Sequence, residues 1–225
     1  MSILVKTVGV LGLGVFGSTI AKELGEQHYD VIAVDKNLVD VNRVEEYVVQ
    51  AVQGNFTDIE LLKSIGFSKC DVAVIGTGSN LESSVMAIMN CKKLGIKRIL
   101  AKAKNRTHME IMQEMGAHEI IRPEKEMGDK VARNIMRNNI LDVINLDEEN
   151  SIIEFTAPKR WIGRSLKDLD LRRKYQINVI GMKADPKGKL SINVPPEEKI
   201  KPGSFIVAIG DPRTFEHLDY TDQLK

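Results

Sequence analysis

The chain has 225 residues, enough for one large domain or two modest ones around a real hydrophobic core. Its 32 Lys and Arg balance 31 Asp and Glu, and a net charge of +1 removes the bulk basic signature of a nucleic-acid partner. Cys70 and Cys91 are the only cysteines, too far apart for a zinc knuckle or a disulfide framework, and are expected as small core hydrophobes in a reducing compartment.

The opening run MSILVKTVGVLGLGVFGSTIA imitates a secretory leader, but Lys6 interrupts it and glycines punctuate it. It reads instead as a buried parallel strand running into a helix. No other run approaches the ~20 apolar residues of a membrane span, so a soluble protein is expected. Strand-like runs follow at TVGVLGL (7–13), DVIAVD (30–35), EYVVQAV (46–52), DVAVIGTG (71–78), KRILAKA (97–103) and HEIIRP (118–123). Helical stretches lie at FGSTIAKELGEQ (16–27), DIELLKSIG (58–66), LESSVMAIMNCKKLG (81–95) and RTHMEIMQEMG (106–116). In the third, Leu81, Val85, Ile88, Met89 and Leu94 form an apolar stripe, and Met86 and Met89 are expected as core filler. Gly66, Gly95 and Gly116 are placed to cap helices in the left-handed conformation. Strands alternating with helices predict an α/β fold, a Rossmann-like doubly wound parallel sheet.

Beyond Pro123 the pattern changes. Residues 124–144 read as one longer connector helix with Met127, Val131, Ile135 and Met136 on its apolar side. Two strands around the turn DEEN, a helix at SLKDLDLRRKY (165–175), a strand at INVIGMKA (177–184), a turn at DPKGK, and strands at LSINV (190–194) and SFIVAIG (204–210) complete a second, smaller α+β domain. The connector is counted with the first domain, which gives residues 1–139 and 140–225.

Gly12, Gly14 and Gly17 make a G-x-G-x-x-G between the first strand and first helix, and Asp35 ends the second strand. There Gly12 makes the tight turn, Gly14 admits a phosphate to the backbone, and Gly17 lets the helix pack closely. The helix N-terminus offers free N–H groups to phosphates, and Asp35 accepts ribose hydroxyls while repelling a 2′-phosphate. Val15 and Phe16 complete the loop. GNFTD (54–58) and GTGSN (76–80), at the ends of the third and fourth strands, either flank the ligand crevice or supply turns and N-caps at Thr57 and Ser79. A dehydrogenase also needs an acid–base group beside the nicotinamide. His28, His108, His118 and His217 fall at helix ends or in loops without a partner motif, and no Tyr-x-x-x-Lys, H-E-x-x-H or G-x-S-x-G occurs.

GVLGLGVFGSTIAKEL, VIAVD, GNFTDIELLKSIG, DVAVIGTGSNLESSVMA, GAHEIIRPEKEMGDKVA and DLDLRRKYQINVIGMK run in the order of the Ktr/Trk potassium-uptake regulators, the RCK proteins. The chain resembles that family along essentially its whole length, an RCK N-terminal domain followed by an RCK C-terminal domain. It looks like the cytosolic ring subunit, since it holds no pore segment.

The resemblance implies a cytoplasmic regulatory subunit at the inner face of the plasma membrane. It would dimerise, assemble into a ring, commonly octameric, and control a membrane potassium translocation subunit. It implies NAD(H), ATP or ADP in the Rossmann crevice, with Asp35 and Lys36 at the ribose, Asn55, Phe56 and Thr57 near the adenine, and Thr77, Gly78 and Lys102 nearer ribose and phosphates. Glu124 matches an acidic residue that helps hold a divalent cation, Mg or Ca, between nucleotide sites. Leu171, Arg172, Asn178, Val179 and Ile180 match positions that bind cyclic di-AMP at a C-terminal dimer interface. Val15 departs from the family's Arg, which reaches the terminal phosphate of ATP, so that contact is missing here. The rivals are a small NAD-dependent oxidoreductase, lacking an acid–base pair, and a redox-sensing transcription factor, lacking a helix-turn-helix with a basic face.

Overall fold

β-branched runs buried on both faces build the first half of the molecule. The computed structural model describes residues 6–78, 80–136 and 139–220. Strands β1 (Thr7–Leu11), β2 (Asp30–Asp35), β3 (Gln50–Gln53), β4 (Val72–Ile75), β5 (Arg98–Lys102) and β6 (Glu119–Ile121) form one parallel sheet in the order β3-β2-β1-β4-β5-β6. That order is doubly wound, with the chain reversing direction across the sheet between β1 and β4. Helices α1 (Val15–Glu26), α2 (Leu38–Asn42), α3 (Ile59–Ser64), α4 (Leu81–Lys93) and α5 (Arg106–Met115) accompany it. One core gathers Leu11, Val34, Leu62, Phe67, Ile75, Ile88, Ile99 and Met112; the other gathers Val8, Val10, Leu13, Ala21, Val31 and Val74. Gly9 is required on β1 because a Cβ there would run into the Phe67 ring, which is fully buried. Cys70 and Cys91 are free and buried in the first core, and burial pushes both thiols up to about 12.

Several elements differ from expectation. β3 is shorter than the run at 46–52, because Glu45–Tyr47 forms a 3-10 turn beforehand. The short α2 has no apolar stripe to announce it. On α4 the buried face is Ser84, Ala87, Ile88 and Cys91, which leaves Met86 and Met89 exposed rather than filling the core. Small residues let that face lie close to the sheet, and the methionines tilt outward. The helices are capped by Asp58, Asn80 and Asn105, so Thr57 is not a cap, while Ser79 lies outside the described residues. Gly66, Gly95 and Gly116 adopt the expected left-handed φ.

The chain divides into two compact units, residues 1–126 and 127–225. Helix α6 (Pro123–Met136) begins in the first and continues in the second. It is shorter than the run at 124–144, because Ile140–Asn145 is strand β7. Its β-branched residues pair with β8 (Ser151–Thr156), a tertiary partner that overrides helix periodicity. Met127, Val131, Ile135 and Met136 on α6 are exposed.

The second unit is an antiparallel sheet in the order β7-β8-β10-β9, with β9 at Asn178–Lys183 and β10 at Phe205–Gly210. Phe155 packs edge-on against Trp161 and tilted against Phe215, at ring separations of 5.9 and 5.4 Å. The expected helix at 165–175 is two, α7 (Leu166–Leu169) and α8 (Leu171–Tyr175), broken where Asp170 turns left-handed at φ 45°. Ser165 and Asp168 form a capping box on α7. Residues 190–194 contribute one bridge, Ser191 to Met182, and no strand. Helix α9 (Pro212–Tyr220), which was not among the expected elements, places Phe215 and Leu218 in the core.

Candidate functional site

At the carboxyl ends of β1, β2 and β4 lies a cleft of about 470 Å³, lined by Gly12, Gly14, Asp35, Lys36, Asp40, Phe56, Gly76, Thr77, Gly78, Asn80, Ser83 and Lys102. Its position at the switch between β1 and β4 is where open α/β sheets bind ligands.

The glycine loop is built by close approach. Gly12 takes φ +92° and its N–H donates to the Val34 carbonyl, so the chain turns sharply off β1. A Cβ on Gly17 would strike the Gly12 carbonyl oxygen, so only glycine lets α1 start against the loop. A Cβ on Gly14 would meet nothing within 4 Å, so this residue leaves open space at the cleft wall. Gly14 also N-caps α1 without a side-chain hydrogen bond, and no acidic residue sits in the first turn. The first-turn amides of α1 are thus left without a side-chain cap, the arrangement that suits an anion. Val15 is exposed and Phe16 half-buried beside Lys102, whose Nζ lies 5.9 Å from its ring centroid.

Asp35 does more than end β2. Its Oδ2 accepts the Leu13 N–H at 2.6 Å and its Oδ1 accepts the Asn37 N–H at 2.9 Å. The carboxylate therefore ties the glycine loop to the β2–α2 corner while still lining the cleft. Lys102 also lines the cleft, and its ammonium donates to Glu124 at the start of α6. That hydrogen bond holds the Glu124 carboxyl below the usual carboxylate range. Among the described residues no group of three or more His, Cys, Asp or Glu stands together.

The cleft thus gathers Gly12, Gly14, Asp35, Lys36, Phe56, Thr77, Gly78 and Lys102 from the expected residues, with Glu124 bonded to the last. Val15, Phe16, Gly17, Asn55 and Thr57 are not among its wall residues. Asn55 Oδ1 accepts the Thr57 N–H and hydroxyl, and the Thr57 carbonyl accepts from buried Asn90, so this pair shapes the loop behind Phe56. Asp40 and Ser83 were not anticipated as wall residues, whereas Gly76 and Asn80 belong to the GTGSN loop expected either to flank the crevice or to supply a turn and cap. Asn80 caps α4 by accepting the Ser83 N–H at 3.0 Å, which brings a second helix N-terminus to the cleft, a role its place before an apolar run signals. Asp40 sits on α2, the helix the sequence concealed.

The second unit holds a cavity of about 440 Å³, lined by Leu166, Lys167, Asp170, Leu171, Arg172, Ile177, Asn178, Val179, Val194 and Pro196. It brings together Leu171, Arg172, Asn178 and Val179. Ile180, the next residue along β9, is not among these wall residues.

The TrkA-N domain family matches residues 8–123 and the TrkA-C domain family residues 151–219. Ktr system potassium uptake protein C of Bacillus subtilis (strain 168) is 36% identical over 206 residues, 91% of this chain and 92% of that protein. Ktr system potassium uptake protein A of the same organism is 33% identical over 214 residues, 95% and 96% of the two chains. Among solved structures, the GsuK channel bound to NAD superposes with a TM-score of 0.63 at 16% identity, covering 96% of this chain and 39% of the channel chain. This chain therefore spans about two-fifths of the channel's length, and the likeness is one of fold. With both domain families matched in order and relatives aligned nearly end to end, the chain belongs to the Ktr/Trk potassium-uptake family, a TrkA-N domain followed by a TrkA-C domain.

Proposed function

We propose that this protein is a nucleotide-sensing regulatory subunit of a Ktr/Trk-type potassium-uptake system, and that it acts by binding rather than by catalysis. The carrying observation is the cleft itself: an uncapped helix N-terminus behind Gly14 faces the same space as the Asp35 carboxylate. That pairing suits an adenine nucleotide, NAD(H), ADP or ATP, which supplies phosphate oxygens and ribose hydroxyls. The α1 amides and Lys102 receive the phosphates, and Asp35 and Lys36 meet the ribose. Phe56, with the loop set by Asn55 and Thr57, borders the adenine end, while Thr77 and Gly78 border the ribose and phosphates. Regulation follows from differential affinity: a ligand that fits one arrangement of assembled subunits better shifts the population toward it. The assembly we propose is a homodimer repeated into an octameric ring on the cytoplasmic side of the membrane potassium translocation subunit. The relatives lend no support to the oxidoreductase alternative.

Two finer assignments belong to this reading. Arg172 and Asn178, flanked by Leu171 and Val179, suit the phosphates and base edges of cyclic di-AMP, with Ile180 on the strand behind. Glu124 is engaged by Lys102 and belongs to no carboxylate or His cluster among the described residues. A Mg or Ca site therefore does not fit within the described residues of one chain.

The test is potassium flux into vesicles holding the membrane subunit, with and without this protein, across NADH, NAD, ATP and ADP. Nucleotide-dependent flux that vanishes without the protein supports the reading. Flux indifferent to the protein, or steady consumption of NADH by it, refutes it.

A further inference from the structure

The β2–α2 corner carries a chain of hydrogen bonds linking two carboxylates on one wall of the nucleotide cleft. Asp35 Oδ1 accepts the Asn37 N–H at 2.9 Å. The Asn37 side chain then works in both directions: its Oδ1 accepts the Val39 N–H at 3.0 Å, capping α2, and its Nδ2 donates to Asp40 Oδ2 at 3.0 Å. The other Asp40 oxygen, Oδ1, is held by Arg43 Nη1 at 2.9 Å. Asp40 is the more enclosed of that ion pair, with its side chain 20% exposed against 44% for Arg43. Asp35, Lys36 and Asp40 line the cleft and Arg43 does not. The wall past the second strand therefore presents two negative charges and one positive, with a guanidinium bonded to the outer carboxylate.

In doubly wound sheets this corner reads the adenosine ribose, where a carboxylate accepts the 2′-hydroxyl and a nearby arginine instead receives a 2′-phosphate. Both kinds of residue are present here, and the geometry decides which one acts. We infer that Asp40 is a specificity-determining residue of the cleft: it doubles the negative charge at the ribose end and keeps Arg43 engaged, so the site refuses adenine nucleotides with a 2′-phosphate. This inference rests on the nucleotide reading of the cleft. Asp40 acts partly through Arg43, holding in reserve the cation that a 2′-phosphate needs. Lys36, the remaining charged wall residue at this corner, is a single cation against two carboxylates and does not reverse the balance.

The experiment is calorimetric titration of the full chain with NAD and NADP, and with AMP and adenosine 2′,5′-bisphosphate as a pair free of nicotinamide. It compares the parent, Asp40→Asn, and Asp40→Asn combined with Arg43→Ala. Asparagine keeps an oxygen for the Asn37 amide, and an unchanged Tm of the ligand-free variant reports an intact corner. The parent should prefer the nucleotide without the 2′-phosphate in both pairs. Asp40→Asn removes one of the two negative charges on this wall, which should move the ratio about tenfold or more toward the 2′-phosphorylated ligand. Adding Arg43→Ala should return most of that gain. Unchanged ratios in Asp40→Asn overturn the role of Asp40, and a gain that survives Arg43→Ala overturns the reserve cation. A parent that binds none of the four probes refutes the nucleotide reading itself, a failure distinct from those two.

Discussion

Replacing Asp35 by alanine separates two roles that the carboxylate combines. Its Oδ2 satisfies the N–H of Leu13, a fully buried residue inside the glycine loop, at 2.6 Å. Leaving a buried donor without an acceptor costs about 1–3 kcal/mol. The second bond, to the Asn37 N–H, is exposed, so water replaces it at little cost. The ligand-free protein should therefore lose about 2 kcal/mol from the first unit, which for a domain of this size is roughly 8 °C in Tm. Asp35→Asn retains one acceptor oxygen and should lose half of that or less. Binding is a separate loss: hydrogen bonds from ribose hydroxyls to a charged acceptor contribute about 1.5–3 kcal/mol, or roughly 10- to 150-fold in affinity. Differential scanning calorimetry of the ligand-free variants reads the first effect, and titration with NAD or ADP reads the second. An alanine variant with the parent's Tm refutes Asp35 as the brace of the loop. Equal nucleotide affinities, measured on folded protein, remove it from the site.

Gly14→Ala adds a methyl group in open space at a compatible φ, so stability should hold within about 1 kcal/mol while nucleotide affinity falls, because the methyl occupies the phosphate approach. Gly17→Ala, by contrast, drives a Cβ into the Gly12 carbonyl and should lower Tm sharply; equal Tm values for the two variants would contradict the packing described. Cys70 and Cys91, buried with thiols raised to about 12, should resist a thiol reagent at pH 8 until denaturant is added, and prompt labelling of the native protein would refute their placement. Asp71 accepts the Lys6 and Thr7 amides, which hold its carboxyl below the usual range. Its stabilisation is therefore present above the ordinary carboxylate pKa of about 4 and is lost as pH falls through the lower folded value. The stability gap between parent and Asp71→Asn should narrow below about pH 4, and a gap that widens there would refute a lowered Asp71 carboxyl. Val15→Arg places a guanidinium on the first turn of α1 and should raise affinity for ATP relative to ADP in the same titration.

Local chemistry made the first half legible. Buried parallel strands are near-continuous apolar runs, and Gly12, Gly17 and the glycines at helix ends are demanded by φ or by close approach, so both leave marks in the sequence. Hence β2, α1 and the Gly12–Asp35 frame emerged nearly where the structure has them. Elements set by tertiary partners did not. The run at 140–145 continues a helical period yet pairs with β8, and α2 is too short for an apolar stripe, so Asp40 stayed hidden with it. Asp35 was legible as a residue of the cleft but not as the brace of Leu13, because that bond depends on where the loop folds back. In the second unit the break at Asp170 is a left-handed residue that is not glycine, which composition does not announce.

The central claim is that the cleft between Gly14 and Asp35 senses an adenine nucleotide and passes its occupancy to the assembled protein. Titration of the purified full chain with NADH, NAD, ATP and ADP, with small-angle scattering of the same samples, tests it most directly. The account predicts saturable binding of at least one of these nucleotides, abolished or greatly weakened by Asp35→Ala, with a scattering profile that changes on saturation. Absence of binding by all four, or binding that Asp35→Ala leaves unchanged, would contradict it.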